Sequence, residues 1–568
     1  MSLAKIFKAE HNVGTFFPVT TASYELDRIL FAGWMPQALG DWAPGLRFMN
    51  LLYHACAALL LWRFLLALRL PAEAAFFVAA AFSVSPAACE TVCWISERKN
   101  ALSALFSFAA LLSWVRLEER SFRLASTLAL YTLALLSKAS ALGMLPVFAF
   151  IELFGGVRGL NGTGSMFWKP GKEWLRITAT MLPLAAVSLL FILITMITIE
   201  SSLMEPPGGS LFTAALTDLD IVAHYLRNLT IPLWLSFVYC VEPVCGMTDP
   251  RVPLYVLIFS GLLSGSIYLA SNRRLAIFCW LWFLAALGTS LNFIPLQYLM
   301  QDRYVYLSTP ALFVLVYEVI RGLSNRVGGK FVSLLKYAAF AYVIFLSLIS
   351  LRRSGDWVDN YHLFRDATEK QPRAAYAHFH LGMTYATLWK ANMYNSQLDP
   401  KKREHLRVLA LVEFNKGLEC PDVLRYQCYY LMAMDIAEDC RQHNNMECAE
   451  KYWRLAAFPP RGAWNFQSER ALALRCLASM CIAQNRLQEA YEMAAKAVEV
   501  STIESDYFVK GRAALKLADE KSRRGETAAA LNLREEASNT LVRILPASDL
   551  YNDAQKLLGN TAPAAPVH

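Results

Sequence analysis

Apolar positions crowd the chain from about residue 46 to 351, interrupted only by short charged stretches. From 352 onward the spacing becomes that of amphipathic helices. A helix that crosses a bilayer needs about 20 mainly apolar residues. Runs of that kind lie near 46–68, 74–94, 100–117, 122–137, 139–155, 175–198, 252–270, 275–297, 304–320 and 333–351. The pattern predicts an all-α fold: a polytopic membrane helix bundle of about ten spans, followed by a helical solenoid. The expected organisation is an outer-face segment over 1–45, a membrane domain over 46–351, repeats over 352–550 and a disordered tail over 551–568.

The basic residues between the spans orient the bundle. Lys and Arg gather in cytoplasmic loops. Arg69, then Arg116, Arg120 and Arg123, then Arg158, Lys169 and Lys172, then Arg273 and Arg274, then Arg321, Arg326 and Lys330 fall in alternate loops. That set is expected on the inside, which leaves both termini and the 199–251 segment outside. The apolar stretch 220–240 is read as a helix lying at the outer interface, because counting it as a span would turn every later basic loop outward.

Composition agrees with a membrane class. Hydrophobic residues make up 56% and charged residues 18%, against about 25% charged in a typical soluble domain. Mean hydropathy is +0.32. The net charge of +8 is modest and no basic tail points to nucleic acid.

The outer ends of the spans hold the candidate chemistry. "CWISERKNALSALF" (93–106) places Glu97, Arg98 and Lys99 side by side between two apolar runs. The plain reading is a turn whose cations snorkel to lipid headgroups. Yet Glu90, Lys138, Asp218, Asp220, Arg227, Asp302 and Arg303 fall on the same face. Cations beside carboxylates there suit a phosphate-bearing lipid, the cations holding phosphate and a carboxylate moving a proton.

In the second half, "HFHLGMTYA" (378–386) has the L-G-x-x-Y core of a tetratricopeptide helix, with His378 at the usual Trp position. "ALVEF" (410–414) supplies the A-x3-F of its partner. A cleaner unit has Leu477, Ala478 and Cys481 followed by Ala490, Ala494 and Ala497. Amphipathic helices are also expected at 426–440, 446–457, 507–523 and 526–543. A generic helical solenoid fits the same positions, and either form offers a surface for partner proteins. The stretch 390–405 reads as an insertion. Cys420 with Cys428, or Cys440 with Cys448, could tie neighbouring helices; buried thiols are the alternative. No metal signature is present. The sequons at Asn161 and Asn228 are weak.

The strings "FFPVTTASYELDRILF" (16–31), "ETVCWISERKNALSALF" (90–106), "LLSKASALGMLPVFAFIELF" (135–154), "WLWFLAALGTSLNFIPLQYLMQDRYVYLS" (280–308) and "RRSGDWVDNYHLFRDATEKQPRAAYAHFHLG" (352–382) resemble the bacterial relatives of the transmembrane, tetratricopeptide-containing O-mannosyltransferases. The resemblance implies a GT-C glycosyltransferase fold in a bacterial inner membrane. It implies a polyprenyl-phosphate sugar donor and a protein acceptor, with the repeats outside. Carried over by position, Glu90 matches the acidic residue of the second outer loop and is the candidate catalytic base; Arg98, Lys99 and Arg303 would bind the lipid phosphate, beside Asp302 and Tyr304. The charge pattern adds Lys138 to the phosphate-binding set and Glu97 as support. No metal or other cofactor is implied beyond such a lipid ligand.

Two departures stand out. "VSPAACE" (84–90) replaces the family's His-Pro-x-His pattern. Beside the family, the sequence reads as starting partway through the first outer loop, without its paired acidic residues; Glu10, Glu25 and Asp27 are the carboxylates before Asp41. Two functions follow as expectations. One is a catalytically degenerate homologue acting as scaffold or assembly subunit of a membrane complex. The other is an active lipid-phosphate-sugar-dependent protein O-glycosyltransferase.

The topology carries a direct expectation. A single cysteine placed in the 380s should react with an impermeant maleimide in intact cells. One placed at 116–123 should react only after permeabilisation. The reverse pattern overturns the orientation.

Overall fold

In the computed structural model, residues 17–31, 43–161, 172–199, 205–294, 297–327, 329–393, 399–423, 426, 428–460 and 466–559 are described. Every regular element among them is helical. The chain divides into two compact units, 1–371 and 372–568. The boundary falls later than 351/352, because the helix 360–370 belongs to the first unit. Its Asp366 lies 3.8 Å from Arg353, and Lys370 donates to the Leu235 carbonyl at 3.0 Å.

The first unit runs α1 (Pro18–Phe31), α2 (Ala43–Ala67), α3 (Ala72–Ser83), α4 (Cys89–Cys93), α5 (Arg98–Arg116), α6 (Arg120–Ser137), α7 (Met144–Leu153), α8 (Gly156–Asn161) and α9 (Lys172–Ile199). It continues with α10 (Leu211–Thr230), α11 (Arg251–Leu269), α12 (Arg273–Gly288), α13 (Thr309–Val327), α14 (Gly329–Asp356) and α15 (Asn360–Lys370). Local signals set several starts. Pro71 precedes α3. Ser210 and Thr213 form a reciprocal capping box on α10, and the Asn272 side chain accepts from the Arg274 and Leu275 amides of α12.

Among the described residues, four helices are long and apolar enough to cross a membrane: Ala43–Ala67, Ile177–Ile197, Arg251–Leu269 and Leu334–Asp356. The bent pair Ala72–Ser83 and Pro86–Cys93 would make a fifth. The expected spans at 100–117, 122–137, 275–297 and 304–320 appear as α5, α6, α12 and α13, which fall short on length or composition. The 139–155 run is a 3₁₀ segment, Ala139–Gly143, leading into α7. The 220–240 stretch is not one helix: α10 ends at Thr230 and a loop follows.

The core of this unit lies where α2, α3, α5, α7, α12 and α13 pack together. Phe64, Phe82, Phe108, Trp114, Phe148 and Trp282 fill it. Phe64 meets Trp282 edge-on at 5.9 Å, and Phe82 meets Phe108 at 5.8 Å. Large apolar side chains elsewhere face outward, including Ile197 on α9, Leu257 on α11 and Leu351 on α14. Asn228, one of the two sequons, is buried and donates to the Tyr239 hydroxyl, so glycan attachment there would require unpacking.

The second unit pairs consecutive helices: α16 (Ala375–Met393) with α17 (Pro400–Leu418), α18 (Cys428–Gln442) with α19 (Met446–Ala457), α20 (Gln467–Ala483) with α21 (Leu487–Val500), and α22 (Glu504–Arg523) with α23 (Thr527–Leu541). Part of the expected insertion, 394–398, lies outside the described residues. Leu477, Ala478, Cys481, Ala490, Ala494 and Ala497 are all buried. Small side chains at these positions let α20 and α21 approach closely. Cys440 and Cys448 form a disulfide with Cα atoms 5.8 Å apart, closing the α18–α19 turn. Cys420 and Cys428 remain buried thiols.

The tail needs correction. Tyr551–Gly559 is a helix, α24, where disorder was expected from 551. Ala554 is buried against the α22–α23 pair, which supplies the apolar contact that composition did not reveal. Residues 560–568 lie outside the description.

Gly382, the glycine of the L-G-x-x-Y string, is fixed by packing. A Cβ there would sit 2.5 Å from the Phe414 ring of α17. Gly382→Ala should lower the thermal stability of the full chain by about 1–3 kcal/mol, the usual cost of overpacking. Gly261→Ala, whose Cβ would meet open space, should be near neutral. Equal melting of the two variants would contradict the packing.

Candidate functional site

A buried ionic cluster joins three turns of the first unit. Glu97 closes the 3₁₀ segment Ile95–Glu97 just before α5, Lys138 follows α6, and Arg303 lies in the 3₁₀ segment Asp302–Val305 before α13. Glu97 is almost fully buried. Its carboxylate accepts from Lys138 Nζ at 3.0 Å and from Asn100 Nδ2 at 2.9 Å. Lys99 Nζ lies 3.1 Å away and Arg303 Nε 3.4 Å. Burial alone would raise the Glu97 pKa, but the Lys138, Lys99 and Arg303 charges prevail and hold it at about 2. Burial, opposed by Glu97, brings Lys138 down to about 8.

Arg303 is the centre of a second contact set. Its guanidinium donates to Glu90 Oε1 and, at 3.2 Å, to Gln301 Oε1; its backbone N–H donates to Glu90 Oε2 at 3.0 Å. The rings of Trp94, Tyr304 and Tyr298 lie 5.0, 5.3 and 5.7 Å from it. Such aromatic neighbours stabilise the cation and fix its plane. Glu90 is fully buried, with both oxygens engaged by Arg303. In this geometry it positions the 302–305 turn and presents no oxygen to an incoming group.

Asp302 faces the other way. It accepts from the Tyr239 hydroxyl at 2.6 Å and from Arg353 Nη2 at 3.2 Å. Full burial outweighs Arg353, and Glu90 adds repulsion, so the Asp302 carboxyl keeps its proton up to about pH 7. Tyr306, four residues on, is hydrogen-bonded to His54 of α2. The turn is thus anchored on both sides.

Lys99, Lys138 and Arg303 therefore meet, on Glu97. Arg98 does not join them. It is fully buried, 2.5 Å from Asp27 of α1, and donates to Asn50 Oδ1 at 2.8 Å and the Leu46 carbonyl at 3.1 Å. Tyr24 stacks on it at 4.3 Å. This is a structural staple between α1 and α5. Asp218 is likewise apart, accepting from the Asn292 backbone and side chain. Asn50, Tyr239 and Arg353 were not singled out from sequence, and Asp27 was named only among the carboxylates before Asp41. Arg353 in "SLRRSGDW" reads as the end of the last span, and Tyr239 lies in an apolar loop; neither carries a spacing signal.

Around Glu97 and Glu90, three cations face two carboxylates. One positive charge is left over. Lys99 and Lys138, 23% and 13% exposed, are the members reachable from outside. The arrangement can hold an anion. Among the described residues no group of three or more His, Cys, Asp or Glu could hold a metal ion.

Glu97→Gln removes one partner from a buried ionic cluster, which should cost about 3–5 kcal/mol. Adding Lys138→Met should recover part of that loss. The wild type should also lose stability as the pH falls below Glu97's ordinary 4.5 toward 2, because its depressed pKa favours the native state only while it is ionised. Glu97→Gln should lack that slope in acid melts. A double variant no better than the single would refute the coupling. No protein-family model and no curated protein matches this sequence.

Proposed function

We propose that this chain is a membrane-embedded GT-C-like protein that binds a lipid phosphate and acts as a scaffold in a membrane complex without transferring sugar. One observation carries the reading: the cluster at Glu97 has an excess positive charge but no idle carboxylate. Glu90 is held by Arg303, Glu97 by three cations and Asp302 by Arg353. Transfer of a glycosyl group to a hydroxyl needs a positioned base, typically worth about 10²–10⁴-fold in rate. Anion binding needs only the cations.

The full reading has about ten spans, formed by α2, α3 with α4, α5, α6, α7, α9, α11, α12, α13 and α14. The paired helices of the second unit are tetratricopeptide-like repeats on the outer side of a bacterial inner membrane. The Cys440–Cys448 disulfide supports that side, since such bonds persist in oxidising compartments. The repeats would recruit other membrane subunits.

An active O-glycosyltransferase is the second reading. Asp302 favours it, because a carboxyl titrating near 7 is partly ionised at neutral pH and can then accept a proton.

Purified full chain should bind a polyprenyl phosphate, and Lys138→Met or Lys99→Met should weaken binding by at least about tenfold, the worth of one charge-assisted contact. A polyprenyl-phosphate sugar should not be turned over. Turnover by the unmodified chain would refute the scaffold reading, and its loss in Glu90→Gln or Asp302→Asn would name the base. Undiminished binding in both cation variants would refute the site.

A further inference from the structure

Away from the ionic cluster, α10, α11, α12 and α13 enclose an apolar cavity of about 730 Å³. It runs from Tyr255 near the start of α11 to Leu269 at its end. At 1.5 Å per residue that is about 21 Å, longer than one leaflet of a core about 30 Å thick. Gly261 and Gly265 line it, and a Cβ on either would meet open space. A second apolar cavity, about 260 Å³, lies between α13 and α14. The two share Thr230 at the C-terminal end of α10 and Leu312, Val316 and Ile320 along α13, so they lie side by side across α13.

One helical turn before Thr230 stands Arg227, an exposed side chain that lines the larger cavity. Its described partners are uncharged: Asn228 Oδ1 at 3.1 Å and the Trp234 ring at 5.5 Å. The acids nearby are engaged elsewhere. Asp220 lies 3.0 Å from His224 and 3.5 Å from Arg251, and Asp249 lies 2.7 Å from Arg251. Among the described residues Arg227 thus meets no carboxylate, and it borders the larger of two adjoining apolar spaces.

We infer that this is a binding site for an anionic diacyl phospholipid, with one acyl chain in each cavity and the phosphate on Arg227. Two adjoining cavities that share Thr230, one turn from Arg227, match a lipid with two tails on one head. A single-chain polyprenyl phosphate would leave the second space unfilled. A zwitterionic headgroup brings its own cation and gains less from Arg227. The site is separate from the cluster at Glu97 and does not depend on the function proposed above.

The test uses the full chain in nanodiscs, with phosphatidylglycerol or phosphatidylcholine carrying a photoreactive group on an acyl chain. Phosphatidylglycerol should crosslink to α11 and α13 about tenfold more than phosphatidylcholine, as expected for one charge-assisted contact. Arg227→Gln should erase the preference and Arg227→Lys should keep most of it. Gly265→Phe, which fills the cavity, should suppress crosslinking of both lipids. On the unmodified chain, unlabelled phosphatidylglycerol should compete and polyprenyl phosphate should not. Equal labelling by both lipids, or displacement by polyprenyl phosphate, overturns the assignment whatever the variants do. Loss of crosslinking in Lys138→Met would merge this site with the ionic cluster and overturn it as well.

Discussion

Everything around the turns at 95–97, 138 and 302–305 depends on keeping Glu97 ionised in a place almost without water. A carboxylate there is tolerated only because Lys99, Lys138 and Arg303 reach it together. Each comes from a different turn, so the charge constraint becomes a geometric one. The Glu97 turn, the end of α6 and the 302–305 turn must assemble in one arrangement. Glu90 then locks Arg303 from the backbone side, and the aromatic rings around the guanidinium close off its remaining faces. What would be three independent connections in a loosely packed bundle becomes one rigid plate.

That plate divides the buried polar groups into separate offices. Arg98 and Asp27 neutralise each other beside α1, and Asp302 answers to Arg353 and Tyr239. Of these three groups, the one at Glu97 keeps a surplus of charge, and its Lys99 and Lys138 are partly exposed. In the second unit the organising force is steric: Phe414 occupies the space above Gly382, and rows of alanine bring α20 and α21 together. Polar satisfaction orders one unit, and small-residue packing orders the other.

Sequence periodicity was a good guide to where helices lie. The expected helices at 446–457 and 507–523 appear as Met446–Ala457 and Glu504–Arg523. It was a poor guide at 551–559, where helix formation rests on Ala554 meeting a distant pair of helices. At the site, adjacency in sequence misled: Arg98 and Lys99 are neighbours, yet consecutive helical positions point about 100° apart. One faces Asp27 and the other faces Glu97. The meeting of Lys138 and Arg303 on Glu97 could be anticipated because all three lie at span ends. The roles of Asn50, Tyr239 and Arg353 could not, since they follow from which turns touch and from no local pattern.

The Arg98–Asp27 contact makes α1 and α5 answer for each other. Both side chains are fully buried, so taking either partner away leaves a lone charge without water. Loss of α1 would therefore be felt at the first turn of α5, a helix that begins far along the chain, and the short first helix is as much a foundation of this unit as any longer one.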